Sequence, residues 1–187
     1  MLVRQVRFLQ LMTLNSRNAE VSAKAKLLDA TPVASSADME QLIKMLMPVA
    51  LKTGDAAHGK EIFTAQCAVC HMINGVGGRI GPDLSGIGAR AKQDFMVDII
   101  DPNRSVEANY RMWTVTTKSG DTFSGRLDTE TETGVEILDT AGQKHAVQRK
   151  DITELSASNL SIMPAGFGNM PPDDFSALLE FIASSRH

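Results

Sequence analysis

The spacing of apolar residues predicts helices over the first quarter of the chain. An early stripe recurs every three or four positions and comprises Val3, Val6, Leu9 and Leu11. A second stripe follows a candidate cap at Ser36 or Asp38 and comprises Met39, Leu42, Ile43, Leu46 and Met47. Residues 1–52 are therefore predicted to form a helical N-terminal segment, with the linker "DATPVASSAD" between its two helices.

Two short helices are predicted next, on either side of a glycine-rich loop. Helical spacing covers about Asp55 to Gln66 and about Lys92 to Asp101, where Pro102 ends the second helix. The loop contains Gly75, Gly77, Gly78, Gly81, Gly86 and Gly88. Because glycine has no Cβ, this backbone can approach a flat ligand closely. No Gly-Lys-Ser/Thr ending follows, so a phosphate-binding loop is not indicated.

The apolar period then changes from helical to alternating. Short alternating runs place Trp113 with Val115, Phe123 with Leu127, Val135 with Ile137, and His145 with Val147 on the same side of a strand. Turn-forming residues interrupt them at Ser119-Gly120-Asp121, Thr133-Gly134 and Ala141-Gly142. This pattern predicts a small antiparallel β meander over about 108–156.

The chain ends in a loop with two Met-Pro pairs and a closing helix. The pairs are Met163-Pro164 and Met170-Pro171. Asp173 or Asp174 is the expected cap of the helix. Its buried side is predicted to comprise Leu178, Leu179 and Ile182.

Composition and charge exclude some classes of function but add little about the fold. The 19 Lys and Arg residues are balanced by 22 Asp and Glu residues, so no basic surface for nucleic acid is indicated. No apolar run reaches 18 residues, so no transmembrane segment is predicted. The segment "MLVRQVRFLQLMTLNSRNA" is interpreted as an amphipathic helix, with a degenerate export signal as the alternative. Its start within helical material suggests a piece of a longer polypeptide.

The strongest chemical signal is "CAVCH", which contains both cysteines of the chain, Cys67 and Cys70, followed directly by His71. Two thiols at this spacing can form a redox dithiol, half of a zinc site, or the attachment point of c-type haem. In the haem case the sulfurs add to the vinyl groups and the histidine binds the iron.

The flanking sequence weighs against the first two alternatives. A dithiol centre needs a strand-helix setting, whereas these flanks are helical and glycine-rich. Zinc needs further ligands, and the remaining histidines, His58, His145 and His187, form no pair at a suitable spacing. The sequence also allows a reading without chemistry, in which two buried cysteines precede a histidine by chance.

A haem bound through His71 needs further groups from the chain. The soft candidates for the second axial position are Met163 and Met170. The other ring nitrogen of His71 needs a hydrogen-bond acceptor, which the backbone just before "PDL" can supply.

These motifs occur in the order found in a known family. "GDAAHGKEIFTAQCAVCH", then "GPDLSGIG", then "MPAGF" before a C-terminal helix resembles the class I cytochromes c. The resemblance implies thioether bonds from Cys67 and Cys70 to one haem c. It also implies His71 as the proximal ligand, the Pro82 carbonyl as its acceptor, and Met163 as the distal ligand. The implied fold is a mainly α cytochrome c fold of three to five helices around haem, α+β overall because of the inserted meander.

The strand block and "DPNRSVEANY" look more specifically like the C-terminal haem-binding domain of large multidomain proteins of planctomycetes and related bacteria. That resemblance covers about 54–185. It implies a cytochrome c domain at 53–187, preceded at 1–52 by the tail of an upstream helical region. It also implies a periplasmic or otherwise extracytoplasmic location, and a redox partner protein or upstream dehydrogenase domain.

Several other residues have a less specific reading. Met163 is preferred over Met170 because its Met-Pro pair stands about seven residues ahead of the apolar position that opens the last helix. His145 is interpreted as a half-exposed strand residue and His58 as a solvated one. Arg90 is a candidate for a haem propionate. Tyr110 and Trp113 are expected to anchor the sheet against the helical core, with contact to the haem edge or a propionate as the alternative.

The main hypothesis is therefore electron transfer by one covalent haem, without enzymatic activity of its own. The alternative is a haem enzyme or gas sensor whose sixth coordination position is labile or open. A third hypothesis makes the strands a docking module, although Trp113 and Phe123 are the only large rings there.

Overall fold

The computed structural model describes residues 36–185, which contain four α-helices and two antiparallel sheets. The helices are α1 (Ser36–Leu51), α2 (Ala56–Gln66), α3 (Lys92–Ile100) and α4 (Pro172–Ser184). This content agrees with an α+β fold. The predicted stripe from Val3 to Leu11 lies outside the described residues.

Helices α2 and α4 form the tightest part of the helical core. Gly59 is buried where the two helices cross, and a Cβ at this position would overlap the carbonyl oxygen of Ala177. The Phe63 and Phe181 rings pack beside the crossing with their centroids 5.4 Å apart. Asp55 caps α2 by accepting hydrogen bonds from the backbone N–H groups of Ala57 and His58. The absence of a side chain on Gly59 therefore allows the two helices to approach closely.

Helix α1 packs against α3 and α4. It buries Ile43, Leu46 and Ala50 in the same apolar cluster as Phe95 and Phe175. The predicted division of the chain at residue 52 stays a prediction, but the helix on its N-terminal side is packed into the helical core.

Five strands form the larger sheet. They are β3 (Arg111–Thr117), β4 (Thr122–Glu130), β5 (Gly134–Leu138), β6 (Lys144–Gln148) and β7 (Ile152–Ser161), in the spatial order β6-β5-β4-β3-β7. All neighbours are antiparallel. Strands β1 (Met72–Ile73) and β2 (Val76–Gly77) form a separate short hairpin. The first four strands of the large sheet are the predicted meander, and its turns lie at the predicted positions.

Two sequence-based boundaries differ from the structure. The last strand continues to Ser161, so the sheet extends beyond the predicted end at about 156 and stops two residues before Met163. Pairing with β3 explains the extension, because Arg111 lies opposite Ser161. Helix α4 begins at Pro172 without a side-chain cap, so the prediction of Asp173 or Asp174 as the cap was wrong. Proline is favoured at the first helical position, where no N–H is needed.

A small apolar cluster joins the sheet to the haem-motif segment. Its buried members are Ile80, Leu138 and Ile162, and Cys70, Tyr110 and Met112 pack against it. We call this set the junction cluster. Arg126 of β4 also donates a hydrogen bond to the Ile80 carbonyl oxygen at 3.1 Å. Within residues 36–185, none of the helices combines the length and apolar character needed to cross a membrane.

Candidate haem site

The Cys-His motif begins where α2 ends. The N–H of Cys67 still donates to the Phe63 carbonyl at 2.8 Å, as in the helix. The N–H groups of Cys70 and His71 then both donate to the Cys67 carbonyl, at 3.0 and 2.8 Å. One compact turn therefore holds both cysteines and the histidine, because they lie within five positions of one hydrogen-bonded segment.

The His71 ring is held by one hydrogen bond and is 9% exposed. Its Nδ1 lies 2.9 Å from the carbonyl oxygen of Pro82. A carbonyl oxygen can only accept, so Nδ1 carries the proton and the Nε2 lone pair is left for a metal. Burial lowers the pKa of His71, with the Pro82 hydrogen bond acting in the opposite direction, which favours the neutral imidazole. The hydrogen bond implied by the resemblance is thus present, while iron binding by His71 stays a prediction.

The glycine-rich loop packs directly on the motif. The N–H of Gly78 donates to the Ala68 carbonyl at 2.7 Å, and that of Gly81 donates to the Cys70 carbonyl at 2.8 Å. A Cβ at Gly81 would stand only 2.7 Å from Cε1 of His71. Glycine at residue 81 is therefore required by close approach to the imidazole ring.

The two cysteines face different parts of the molecule. Cys67 packs against the helical core, and Cys70 packs against the junction cluster. Burial raises the pKa of the Cys67 thiol to about 12, and burial also raises the pKa of Cys70. A redox dithiol acts through a thiolate, which these environments disfavour.

The zinc interpretation also lacks support in the geometry. Among residues 36–185, no three or more His, Cys, Asp or Glu side chains converge in an arrangement suited to a metal ion. A structural zinc site needs four such ligands.

The two candidate methionines occupy different environments. Met170 is 3% exposed and belongs to the helical core with Phe175 and Ile100. Met163 is partly exposed and belongs to none of the three apolar clusters of the described residues. Its N–H donates to Ser161 Oγ at 3.1 Å. Met170 thus has a packing role that accounts for it, and Met163 does not.

Arg90 and His145 are both engaged in contacts away from the motif. Arg90 forms an ion pair with Asp98 at 2.9 Å, and both side chains are about half exposed or more. His145 stacks on Phe123 at 4.6 Å and lies 2.8 Å from the Asp139 carboxylate. Neither arrangement needs a haem to explain the side chain.

The remaining candidates, Trp113, Tyr110 and His58, lie in three different environments. Trp113 packs in an apolar cluster whose described members all belong to the sheet, so the expectation that it anchors the sheet against the helical core is not supported. Tyr110 instead joins the junction cluster beside Cys70, and the Arg126 guanidinium lies 5.9 Å from its ring centroid. His58 is exposed and pairs with Asp174 at 3.0 Å.

Arg111 has an environment that the sequence did not reveal. Its Nε is the only buried side-chain nitrogen or oxygen atom in residues 36–185 that has no hydrogen-bond partner. No local pattern indicates such an atom, because its isolation depends on what packs around it. A haem carboxylate would satisfy it, so the residues present fit the cofactor.

Comparison with known proteins agrees with this chemistry. Residues 56–131 match the family model for cytochrome c. The matched segment contains Cys67, Cys70, His71 and Pro82, and it ends just after β4, before Met163. The family implies covalently bound haem c.

A curated relative supports the same class. A cytochrome c-553-like protein of Synechocystis sp. (strain ATCC 27184 / PCC 6803 / Kazusa) is 49% identical over 49 residues, which are 26% of this chain and 45% of that protein. The chain thus matches less than half of the relative's length. Together the comparisons support a c-type cytochrome with haem and iron binding and a role in electron transport. Cytochromes c are typically electron carriers, work with a redox partner, and are generally extracytoplasmic.

Proposed function

We propose that this chain transfers single electrons through one haem c, bound covalently by Cys67 and Cys70 and ligated by His71 and Met163. The observation that carries the proposal is the imidazole of His71. It follows the second cysteine directly, its Nδ1–H is committed to the Pro82 carbonyl at 2.9 Å, and its Nε2 remains available. When bound, the haem supplies an iron that alternates between the ferrous and ferric states.

The chain orients and shields this group. Gly81 brings the backbone against the His71 ring, so the ring cannot rotate freely. The junction cluster packs apolar side chains against Cys70 and excludes water from that side of the motif. A less polar, drier environment favours the less charged ferrous iron and raises the reduction potential.

Met163 is the better candidate for the second axial ligand. Strand β7 ends at Ser161, whose hydroxyl accepts from the Met163 N–H, so the sheet holds the start of the methionine loop. Met170 is already part of the helical core. A thioether ligand stabilises ferrous iron, which suits an electron carrier.

The biological setting follows from the chemistry of attachment and from the resemblance. Haem is joined to such motifs outside the cytoplasm, so we place the protein in the periplasm or another extracytoplasmic space. Its electrons would come from a redox partner or from a dehydrogenase domain upstream, as in the multidomain proteins of planctomycetes that it resembles. With both axial positions filled, the chain has no enzymatic activity by itself.

The first test is expression in a host with a haem maturation system, followed by intact mass and visible spectra. We expect a mass increase of one haem, a sharp α band on reduction, and no change with carbon monoxide. A mass equal to the bare chain would contradict the proposal. A high-spin ferric spectrum that responds to carbon monoxide would instead indicate the haem enzyme or gas sensor.

Two variants then identify the axial methionine. We expect Met163→Ala to open the sixth position, so that the ferrous form binds carbon monoxide and the reduction potential falls. Met170→Ala should keep the low-spin spectrum and lose stability, by about 2–5 kcal/mol for a buried methionine. Carbon monoxide binding by Met170→Ala and not by Met163→Ala would reverse the assignment.

A further inference from the structure

Arg111 has a hydrogen-bond donor without a partner. Its Nε is buried without a hydrogen-bond partner, alone among the buried side-chain nitrogen and oxygen atoms of residues 36–185. Leaving a buried donor unsatisfied is unfavourable, because the group loses its hydrogen bonds to water and gains none in exchange. The side chain as a whole is only partly buried, so the unmet requirement is that of the Nε–H donor. The position therefore calls for a hydrogen-bond acceptor that the described part of the chain does not supply.

The position of Arg111 places that requirement beside the methionine loop. Arg111 opens β3 and lies opposite Ser161, the last residue of β7. The N–H of Ile162 donates to the Tyr110 carbonyl at 2.9 Å, and the N–H of Met163 donates to Ser161 Oγ at 3.1 Å. The backbone on both sides of Arg111 is thus tied to the segment that leads into Met163.

The start of β3 also lies close to the cysteine motif. Tyr110 and Met112, the two neighbours of Arg111 in the chain, pack in the junction cluster with Cys70. The Arg111 backbone therefore lies next to the cluster at the second thioether position. A register shift between Arg111 and Trp113 interrupts the regular alternation of strand side chains at this point.

From this arrangement we propose that Arg111 binds a propionate carboxylate of the haem. The inference rests on the proposed function, because it requires the haem to be attached. Haem carries two propionates, and a guanidinium pairs with a carboxylate through parallel N–H···O bonds. The carboxylate would satisfy Nε and the charge together. Arg90, the propionate candidate from the sequence, already pairs with Asp98 at the surface and has no comparable need.

This role makes the sheet part of the cofactor site. A carboxylate near the iron favours the ferric form, and a guanidinium that neutralises the carboxylate offsets this effect. Arg111 is thus a residue that sets the reduction potential, supplied by the inserted strands.

The test compares charge variants of holoprotein whose mass and low-spin spectrum show one attached haem. We expect the reduction potential to fall in Arg111→Met, and to fall less in Arg111→Lys, which keeps the charge but loses the planar fork. Arg149→Met is the matched control, because Arg149 belongs to the same part of the chain and its ion pair with Glu130 is partly exposed. Its potential should equal that of the wild type.

A second readout is measured on the wild-type protein and uses Arg111→Lys only to assign the signal, so it does not depend on the folding of Arg111→Met. Paramagnetic ferric iron shifts the NMR signals of nearby protons. We expect the Nε–H signal of Arg111, assigned in ¹⁵N spectra by its absence from Arg111→Lys, to move between the ferrous and ferric states. It should also exchange slowly with solvent, since a carboxylate accepts it.

The outcomes separate this inference from the proposed function. Absence of attached haem in the wild type overturns both. Attached haem together with an Nε–H signal that is the same in both redox states overturns the propionate contact alone. Equal potentials for Arg111→Met and Arg149→Met do the same. A fall in potential in Arg90→Met but not in Arg111→Met would assign the propionate to Arg90.

Discussion

Replacing Gly81 by alanine tests whether close packing against His71 orients the imidazole. The new Cβ would lie 2.7 Å from Cε1 and 3.0 Å from Nδ1 of the ring. Favourable carbon contacts begin at about 3.5 Å, so the ring must move by roughly 0.8 Å. Gly81 does not have a positive φ, so alanine adds no backbone strain of its own.

The size of the effect follows from the bond that the movement breaks. The Nδ1 to Pro82 distance is 2.9 Å. A shift along that direction would lengthen the distance to about 3.7 Å, outside hydrogen-bonding range. Loss of such a partner behind a metal-bound histidine typically weakens the metal interaction about 10- to 100-fold.

The assay is an acid titration of the ferric holoprotein followed by the low-spin visible spectrum. A proton competes with iron for Nε2, so a 10- to 100-fold weaker bond raises the acid midpoint by about one to two pH units. Gly75→Ala is the control, because a Cβ there meets no atom within 4 Å, although the positive φ of Gly75 adds local strain. An unchanged midpoint in Gly81→Ala, or an equal rise in Gly75→Ala, would refute the reasoning.

Two further predictions concern the α2–α4 contact. In Gly59→Ala the methyl group would overlap the Ala177 carbonyl, and this overpacking costs about 1–3 kcal/mol, more than the roughly 1 kcal/mol gained in helix propensity. Urea unfolding should therefore show a net loss of stability, whereas a gain would mean that the helices separate freely. The Asp174 carboxylate raises the pKa of His58 above its usual 6.5, so the charged imidazole stabilises the fold at pH below about 6.5, and this contribution disappears as pH rises through the raised pKa. The stability difference between wild type and His58→Gln should therefore be largest near pH 5 to 6 and vanish at alkaline pH, and a difference independent of pH would contradict the pairing.

The elements that the sequence predicted well depend on local spacing. Helices α2 and α3 have their expected limits to within one residue, because apolar periodicity is supported by the Asp55 cap at the start of α2 and by Pro102 after α3. The first four strands of the large sheet follow the same logic, since glycine-containing turns separate alternating runs. The end of β7 was missed because its last residues are held by pairing with β3, about fifty positions earlier in the chain.

The candidate site also has a part that local sequence predicts and a part that only the tertiary structure defines. Cys67, Cys70 and His71 lie within five positions of the chain, so the sequence by itself indicated that they form one candidate site. The nearby Pro82 carbonyl could be anticipated as the partner of His71. The tertiary structure decided which side chains surround them: it packs Cys70 against the sheet, pairs Arg90 with Asp98, and leaves Nε of Arg111 buried without a partner. These contacts depend on strand register and on packing between segments that are distant in the chain. Neither can be inferred from the identity of a single residue.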